Sequence, residues 1–461
     1  MKVLQHRIPP RVLLVVGAEF LSALVAFFLS ASMVTGGDLR LARELEGALL
    51  PQGLTFAFAA ILGIATMGLY STHQRLRVEG IVVRLTVGIA LAAVGLAVLA
   101  FLIPLVDERV IWLAAVGLSL PLVGGSRMML QLLMDDELFR RRVLVFGAGK
   151  RAASLLELRR RSDQRGFRIV AFVATESDGD RIDDSRVRAY DAPLLTMAHE
   201  GLVSEIVVAV DDRRRSFPIR ELLECKLSGI NIVDVLDFLE RESGRVKIDL
   251  VNPGWLVFSE GLSKSARRTI SSRVFDLLMS ITLLIVALPL MLITAAAIFL
   301  EDGAPVLFRQ ARVGFLGEEF TLYKFRSMRK DAEADGQARW AQMNDTRVTR
   351  VGCVIRRLRL DELPQLINVI QGDMAFVGPR PERPEFVDQL AETIPYYHER
   401  HYVKPGLTGW AQLSYPYGAS ETDALGKLQF DLYYVKHRSL IFDLMILLQT
   451  VEVVLWRKGA R

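Results

Sequence analysis

The chain has 461 residues, of which 57 are Lys or Arg and 52 are Asp or Glu, so its formal net charge at pH 7 is +5. About half of the residues are apolar (51%) although 24% are charged, and the first 134 residues are almost continuously apolar. This composition excludes an intrinsically disordered chain. The two cysteines, Cys225 and Cys353, exclude a disulfide framework and a cysteine-rich zinc site. Because membrane segments are present, the excess of positive charge favours anionic lipid or phosphorylated substrates over nucleic acid.

Four apolar runs in the N-terminal part are candidate transmembrane helices. They occupy residues 11–34, 53–70, 81–105 and 109–134, and a hydrocarbon core of about 30 Å needs about 20 helical residues. Basic residues are more numerous before the first run, between the second and third, and after the fourth than in the other connections. The positive-inside rule therefore predicts that both ends of this region, residues 1–138, are cytoplasmic.

Residues 140–245 alternate short apolar runs with polar helical stretches, which predicts a parallel α/β sheet of Rossmann-like type. The turn Gly147-x-Gly149-x-x-Ala152 follows the first predicted strand and fits the dinucleotide fingerprint. Gly147 and Gly149 are therefore candidate nucleotide-binding residues, since backbone amides at a helix N-terminus bind phosphate. The nearest acidic residue after the second strand, Glu176, comes later than the fingerprint requires. The sequence thus leaves open a bound nucleotide or an empty scaffold.

A fifth apolar segment covers residues 274–300 and contains Pro289 near its middle. A proline inside a helix removes a hydrogen bond and clashes with the preceding turn, so we expect a kink or a break at Pro289. Basic residues flank the segment on both sides, which predicts that both of its ends are cytoplasmic. The sequence favours a re-entrant helix that enters the membrane and returns, although the proline alone does not exclude an ordinary kinked span.

A group of cationic residues surrounds a carboxylate pair in the C-terminal part. The carboxylates are Asp361 and Glu362, and the candidate phosphate-binding residues around them are Lys324, Arg326, Arg356 and Arg380. Arginine binds phosphate oxygens bidentately, and a carboxylate among such groups can attack phosphorus or hold Mg²⁺ against phosphate oxygens. Cations near a carboxylate favour its ionised form, so we expect Asp361 to be charged at neutral pH. A surface ion-pair network on a basic helix is the alternative.

The ordered motifs of residues 270–456 resemble the bacterial sugar transferase domain of the monotopic phosphoglycosyltransferases, which make polyprenyl-diphosphate-linked sugars. The motifs are Asn344-Asp345-x-Arg347-x-Thr349, Leu360-Asp361-Glu362-Leu363-Pro364-Gln365, Gly372-Asp373-Met374, Val377-Gly-Pro-Arg-Pro-Glu382 and Lys404-Pro-Gly-Leu-Thr-Gly-Trp-Ala411. The four spans and the Rossmann-like domain resemble the long members, which initiate exopolysaccharide or O-antigen repeat units. The expected fold is a membrane α-helical bundle, an α/β Rossmann-like domain, a linker at 246–269, and a mainly helical α+β catalytic domain at 270–461 with a re-entrant membrane helix.

The resemblance also implies an activity and residue roles. It implies transfer of a sugar 1-phosphate from a nucleotide diphosphate sugar, in particular a UDP-sugar, to undecaprenyl phosphate through a covalent aspartyl phosphosugar. In the family Asp361 would be the nucleophile and lie against Mg²⁺, Glu362 would act as base or orienter, and Arg380 and Arg356 would bind the donor phosphate. It further implies a multi-pass protein of the bacterial inner membrane with its catalytic domain on the cytoplasmic face, and the long members suggest a homodimer.

Two other functions are compatible with parts of the sequence. A membrane-anchored nucleotide-sugar dehydratase or epimerase could share the four spans and the Rossmann-like domain, but it needs a Tyr-x-x-x-Lys pair, and no tyrosine of this chain has lysine four residues later. A non-enzymatic nucleotide-sensing scaffold with a degenerate transferase domain is opposed by the intact Asp361, Glu362 and Arg380. At the C-terminus, residues 441–456 are too short and too polar to span a membrane, and either an interfacial helix or a core helix fits them.

Overall fold

The structure is a computed structural model, and it describes residues 10–34, 39–70, 78–102, 109–133, 140–158, 166–176, 178, 182–212, 217–251, 266–330, 332, 346–415, 418 and 420–456. The chain forms two compact units, Met1–Ser243 and Gly244–Arg461.

Four helices form the first part of the N-terminal unit: α1 (Pro10–Val34), α2 (Leu39–Thr66), α3 (Val78–Leu102) and α4 (Arg109–Leu133). Each contains a stretch that is long and apolar enough to cross a membrane, so the four predicted spans are confirmed as helices of spanning length. A Cβ atom on Gly63 of α2 would lie 2.2 Å from the carbonyl oxygen of Gly88 in α3. These glycines therefore allow a close backbone approach, as small residues do in membrane helix pairs.

A buried ion pair crosses this helical bundle. The carboxylate of Glu19 in α1 accepts hydrogen bonds from the Arg127 guanidinium in α4 and from the Tyr70 hydroxyl (2.5 Å). Glu19 is fully buried. A charge inside an apolar bundle is tolerated when it is paired and hydrogen-bonded, so this network accounts for an acidic residue inside the first span.

A five-stranded, entirely parallel sheet follows the bundle, in the order β3-β2-β1-β4-β5. The strands are β1 (Arg141–Phe146), β2 (Phe167–Ala174), β3 (Val187–Ala189), β4 (Glu205–Val208) and β5 (Asn231–Asp234). The helices are α5 (Lys150–Leu156), α6 (Leu194–Glu200), α7 (Ile219–Leu227) and α8 (Val235–Ser243). The Rossmann-like topology that the sequence predicts is present. The short strand β3 was not predicted, because it has no buried residue to mark it as a strand.

The C-terminal unit combines helices with small sheets. Its helices are α9 (Ala266–Asp302), α10 (Arg350–Arg357), α11 (Gln365–Gln371), α12 (Pro384–Thr393), α13 (Trp410–Ser414), α14 (Glu421–His437) and α15 (Leu440–Trp456). An antiparallel hairpin is formed by β6 (Leu307–Val313) and β7 (Glu319–Phe325), and a parallel pair by β8 (Ala375–Val377) and β9 (Gly406–Thr408).

Part of the predicted linker belongs to this C-terminal unit. Val246 and Ile248 are buried in one core cluster with side chains of β6, α12 and α14, and Val246 N donates to the carbonyl oxygen of Gln429 at 3.0 Å. The sequence gives no periodic signal over so short a stretch, and tertiary packing decides its place. Residues 252–265 of the predicted linker lie outside the described residues.

The long helix α9 is continuous across Pro289. Of the kink and the break that the sequence allows at this proline, the structure therefore excludes the break. The helix contains a fifth stretch of spanning length and hydropathy, and many of its apolar side chains are exposed, among them Val286 (71%) and Leu300 (84%). An apolar helix with so few protein contacts is suited to a lipid environment.

Of the two possibilities for the C-terminal helix, the contacts of α15 favour the core. Phe442 and Ile446 are buried among residues of β7, α11 and β8, and the hydroxyl groups of Thr450 and Thr408 are 2.7 Å apart. The side chains after residue 450 lie outside the description.

Candidate active site

Helix α10 and the turn after it determine where the carboxylate pair lies. Thr349 caps the helix by accepting a hydrogen bond from Gly352 N at 2.9 Å, and the Glu301 carboxylate accepts hydrogen bonds from the first two helical amides. These acceptors satisfy donors that a helix N-terminus otherwise leaves free. Just beyond the helix, Arg359 adopts a left-handed conformation (φ 59°). The chain thereby turns into the 3₁₀ segment Leu360–Glu362, which carries both carboxylates.

Glu362 is held by two guanidinium groups. Its Oε1 accepts a hydrogen bond from Arg380 Nη2 at 3.0 Å and lies 3.5 Å from Arg359 Nη1. Burial by itself would raise the pKa of Glu362, but the surrounding cations, above all Arg380, outweigh burial and lower the pKa to about 2. A carboxylate with so low a pKa is a weak proton acceptor at neutral pH. The arrangement therefore suits an orienting role for Glu362 better than a role as base.

Asp361 lies in a different environment from its neighbour. In the part of the chain that the structure describes, its carboxylate makes no hydrogen bond and no ion pair. Burial and the charge of Glu362 raise the pKa of Asp361, and the nearby cations oppose this only in part. The cations do favour the ionised form, as the sequence predicts, but desolvation is the larger effect, so the net change in the pKa is upward. That Asp361 is charged at neutral pH stays a prediction. Asp361 is thus a half-buried carboxylate that is free to contact a ligand.

Lys324 lies on β7, and the packing of β7 against α11 places it near Asp361 and Glu362. Asn368 of α11 accepts a hydrogen bond from Tyr323 N (3.1 Å) and donates one to the carbonyl oxygen of Thr321 (2.7 Å). Because α11 follows the carboxylate turn directly, this double contact places β7 beside the turn. Burial and the charge of Arg380 lower the pKa of Lys324 to about 8. Among the described residues, Lys324 makes no hydrogen bond or ion pair.

The backbone at Arg380 is held in place by a second arginine, the buried Arg400. Arg400 donates to the carbonyl oxygen of Arg380 (3.0 Å), forms an ion pair with Asp431 (2.8 Å), and donates to the Tyr397 hydroxyl (2.8 Å). On the following residue, the carbonyl oxygen of Pro381 accepts a hydrogen bond from Arg312 at 3.1 Å. Such buried, charge-assisted contacts leave the backbone carrying Arg380 little freedom.

The other two predicted cations differ in position. Arg356 is half-buried on α10 and lies near enough to lower the pKa of Asp361. Arg326 instead caps the C-terminal end of α9, where it donates to the carbonyl oxygens of Asp302 (3.0 Å) and Gly303 (2.7 Å). The structure therefore brings Lys324, Arg356 and Arg380 to the carboxylate pair, whereas Arg326 contacts another element.

Sequence reasoning did not single out three residues that the structure joins to this site. Gln412 accepts a hydrogen bond from Arg380 Nη1 at 3.3 Å, Arg359 contacts Glu362, and Arg400 supports the backbone of Arg380. Gln412 follows the last quoted motif directly, so the resemblance could have included it. The sequence does not reveal the roles of the two arginines. The role of Arg400 depends on a contact with a residue far away in the chain, and that of Arg359 on a left-handed backbone conformation.

The Asp361 carboxylate fits a magnesium ion that takes most of its ligands from water and from the substrate. Within the described ranges, no group of three or more His, Cys, Asp or Glu residues could form an all-protein metal site. Mg²⁺ usually keeps several waters and binds one or two carboxylates together with substrate phosphates. The free carboxylate of Asp361 supplies a hard oxygen donor of that type, while Glu362 is already paired with Arg380.

In the Rossmann-like sheet, the protein's own carboxylates occupy the glycine-rich turn. Asp211 accepts hydrogen bonds from the amides of Lys150 (2.9 Å) and Arg151 (2.8 Å) at the start of α5. Asp178 accepts one from the amide of Ala148 at 2.9 Å. A Cβ atom on Gly149 would lie 2.1 Å from Asp211 Oδ2, so the carboxylate fills the space beside the turn. Three backbone amides of this turn, which a nucleotide phosphate could use, are therefore already paired.

The chain is similar to known sugar-phosphate transferases. Residues 267–457 match the family described as bacterial sugar transferase. The UDP-N-acetylgalactosamine-undecaprenyl-phosphate N-acetylgalactosaminephosphotransferase of Aeromonas hydrophila is 44% identical over 242 residues, which are 52% of this chain and 56% of that protein. The undecaprenyl-phosphate glucose phosphotransferase of Komagataeibacter xylinus is 34% identical over 342 residues, or 69% of this chain and 60% of the relative.

A third relative is aligned over a larger share of its length. The UDP-glucose:undecaprenyl-phosphate glucose-1-phosphate transferase of Escherichia coli strain K12 is 34% identical over 319 residues, which are 68% of this chain and 67% of that protein. The chain belongs to the bacterial sugar transferase family, which confirms the resemblance stated from the motifs. It spans somewhat more than half of the length of the first two relatives.

The occupied glycine-rich turn predicts that the full-length protein does not bind NAD there. A ligand would have to displace Asp211 from two amides, and each hydrogen bond to a charged group contributes about 1.5–3 kcal/mol. Calorimetric titration of the detergent-solubilised protein with NAD should show no saturable binding. Saturable binding that also protects the amides of residues 147–151 from hydrogen exchange would contradict this interpretation.

The lowered pKa of Lys324 predicts a pH dependence of the reaction. Lys324 loses its positive charge as the pH rises through about 8, so kcat/KM for an anionic donor should fall above that pH. Lys324→Arg should remove this inflection, because arginine keeps its charge over the accessible range. The measurement is kcat/KM for the donor between pH 6 and pH 10, with Lys226→Arg on α7 as the control. The same inflection in Lys324→Arg would exclude Lys324 as its source.

Proposed function

We propose that the protein transfers a sugar 1-phosphate from a UDP-sugar to undecaprenyl phosphate, which initiates the repeat unit of an exopolysaccharide or O-antigen. The observation that carries this proposal is the carboxylate of Asp361, which is unpaired among the described residues and lies beside Lys324, Arg356 and Arg380. A free, half-buried carboxylate amid cations is suited to react with a phosphate group, not merely to form a surface ion pair. The names of the three relatives contain undecaprenyl phosphate, and two of them also name a UDP-sugar.

The reaction would use two displacements at phosphorus. A carboxylate oxygen of Asp361 attacks the sugar-bearing phosphorus, the bond from that phosphorus to the oxygen bridging the two phosphates breaks, and UMP leaves with the electron pair. A phosphate oxygen of the lipid then attacks the same phosphorus and expels the Asp361 carboxylate, which gives the lipid diphosphate sugar. Because UMP leaves before the lipid reacts, the kinetics would be ping-pong.

The surrounding residues would position the phosphates and neutralise charge. Arg380 has a guanidinium that is fixed between Glu362 and Gln412, which suits a rigid contact to a phosphate oxygen. Lys324 and Arg356 would lie against the transferring phosphoryl group near Asp361. Bound Mg²⁺ would add positive charge beside Asp361 and the phosphate oxygens, which favours the ionised carboxylate despite its raised pKa.

We also propose that α9 is re-entrant, with both ends on the cytoplasmic face. Near its start, Arg273 donates to the carbonyl oxygens of Val369 and Ile370 (both 2.6 Å). Near its end, Glu301 accepts from the first amides of α10. Because α10 and α11 are joined by a short connection, both ends of α9 contact one small part of the catalytic unit.

The length of α9 makes these contacts informative. About 28 residues separate Arg273 from Glu301, which is roughly 42 Å along a straight helix. A helix crossing a hydrocarbon core of about 30 Å would place those ends on opposite sides of the membrane. The short segment from α10 to α11 would then have to extend through the bilayer, which the arginines of α10 and the carboxylates of the turn between the two helices oppose. A helix that is kinked at Pro289 and returns avoids this cost.

The dehydratase or epimerase alternative gains no support from the Rossmann-like sheet. Three amides of its glycine-rich turn are paired with Asp211 and Asp178, and the chain lacks the Tyr-x-x-x-Lys pair.

Replacing the proposed nucleophile tests the mechanism. Asp361→Asn keeps the shape of the side chain but removes the nucleophilic oxygen, so it should reduce transfer by at least about 10³-fold and abolish the covalent phosphosugar adduct. Turnover is measured with UDP-sugars and undecaprenyl phosphate, and the adduct by intact mass after incubation with donor alone. The control is Asp388→Asn, the same substitution at an exposed residue of α12, and it should behave as wild type. Near-normal turnover in Asp361→Asn would refute the assignment.

The re-entrant proposal predicts equal accessibility at the two ends of the segment. Single cysteines at Lys264→Cys and Arg309→Cys, in a background with Cys225→Ala and Cys353→Ala, should both react with an impermeant maleimide only after the cells are permeabilised. Labelling is read by a gel shift. If one position reacted from outside intact cells and the other only after permeabilisation, α9 would span the membrane.

A further inference from the structure

Arg359 has a backbone conformation that arginine rarely adopts. Its φ of 59° and ψ of 20° lie in the left-handed region, where a side chain with a Cβ atom is disfavoured and glycine is usual. Non-glycine residues in such regions occur mostly where surrounding structure enforces them, often at functional sites. Glycine would adopt this conformation more easily, yet the residue here is an arginine with a long cationic side chain.

The guanidinium of Arg359 duplicates a contact that Glu362 already has. Arg359 Nη1 lies 3.5 Å from Glu362 Oε1, and the same oxygen accepts the shorter hydrogen bond from Arg380 at 3.0 Å. The Arg359 side chain is 55% exposed, whereas that of Glu362 is 16% exposed. Arg359 could therefore leave this oxygen for an incoming anion without leaving Glu362 unpaired.

The charges around the carboxylate pair suit an anionic ligand. Four cationic side chains lie close enough to lower the pKa of Asp361 or Glu362, and they are Lys324, Arg356, Arg359 and Arg380. These cations outnumber the two carboxylates, so the site favours an anionic ligand such as a nucleoside diphosphate sugar. Arg359 adds to this excess of positive charge.

We infer that Arg359 is a further donor-binding residue, whose guanidinium moves from Glu362 to an oxygen of the donor diphosphate. This inference rests on the proposed function, which supplies the nucleoside diphosphate sugar as ligand. The donor is favoured over the lipid phosphate because Arg359 shares Glu362 Oε1 with Arg380, the residue proposed to bind the donor. The left-handed turn would then serve to aim this side chain back across Glu362.

The test compares substitutions of Arg359 in the full-length enzyme. Arg359→Gln should raise the donor KM roughly tenfold or more, since a hydrogen bond to a charged group is lost, and should leave the KM for undecaprenyl phosphate unchanged. Arg359→Lys should recover part of the donor affinity. Arg357→Gln, which removes an exposed arginine of α10, is the matched control and should match wild type.

A glycine variant separates the backbone from the side chain. Arg359→Gly accommodates the positive φ, so it should unfold at the same or a higher temperature than wild type and still show the donor KM defect of Arg359→Gln. If both variants kept a donor KM within twofold of wild type, or raised the KM for the lipid instead, the inference would be overturned.

Equilibrium binding of UDP distinguishes failure of this inference from failure of the proposed function. If wild type binds UDP but transfers no sugar phosphate from any UDP-sugar, the proposed function fails, and a loss of UDP affinity in Arg359→Gln still supports the role of Arg359. If wild type transfers normally and Arg359→Gln binds UDP equally well, the inference alone fails.

Discussion

The charge-assisted hydrogen bond between Glu362 and Arg380 joins the two chain segments on which the catalytic unit depends. Glu362 ends the turn after α10, whereas Arg380 follows β8, and the bond connects them at 3.0 Å. The backbone of each partner is held in place: Glu362 lies in the 3₁₀ turn, and the carbonyl oxygen of Arg380 accepts a hydrogen bond from the buried Arg400. Loss of the Arg380 charge would leave Glu362 with only the longer contact to Arg359, at 3.5 Å, so the pair is expected to contribute to the stability of the site.

This pairing gives adjacent carboxylates different properties. Glu362 accepts the hydrogen bond and has its pKa lowered to about 2, while Asp361 has no partner among the described residues and has its pKa raised. Enzymes commonly assign separate roles to neighbouring titratable groups through such differences in environment. In the proposed mechanism, one carboxylate orients an arginine and the other is available to react.

In the N-terminal unit, by contrast, carboxylates of the protein itself occupy a turn that could bind phosphate. Its parallel sheet and its turn with Gly147 and Gly149 have the geometry that binds phosphate in other proteins. Here Asp211 and Asp178 take the place of a phosphate by accepting hydrogen bonds from the same amides. The turn is thereby stabilised without a ligand, which supports a scaffold role for this sheet over nucleotide binding.

Local patterns were enough to predict the four apolar helices, the parallel sheet and the motifs around Asp361, because span length, strand alternation and motif order are properties of neighbouring residues. The sequence by itself also determined family membership, since the motifs are collinear with the family. Only the tertiary structure decided that Arg326 caps α9, that Arg359 and Gln412 join the site, and that burial raises the pKa of Asp361. The physical reason is that desolvation and ion pairing depend on distances between residues far apart in the chain, which the order of residues does not specify.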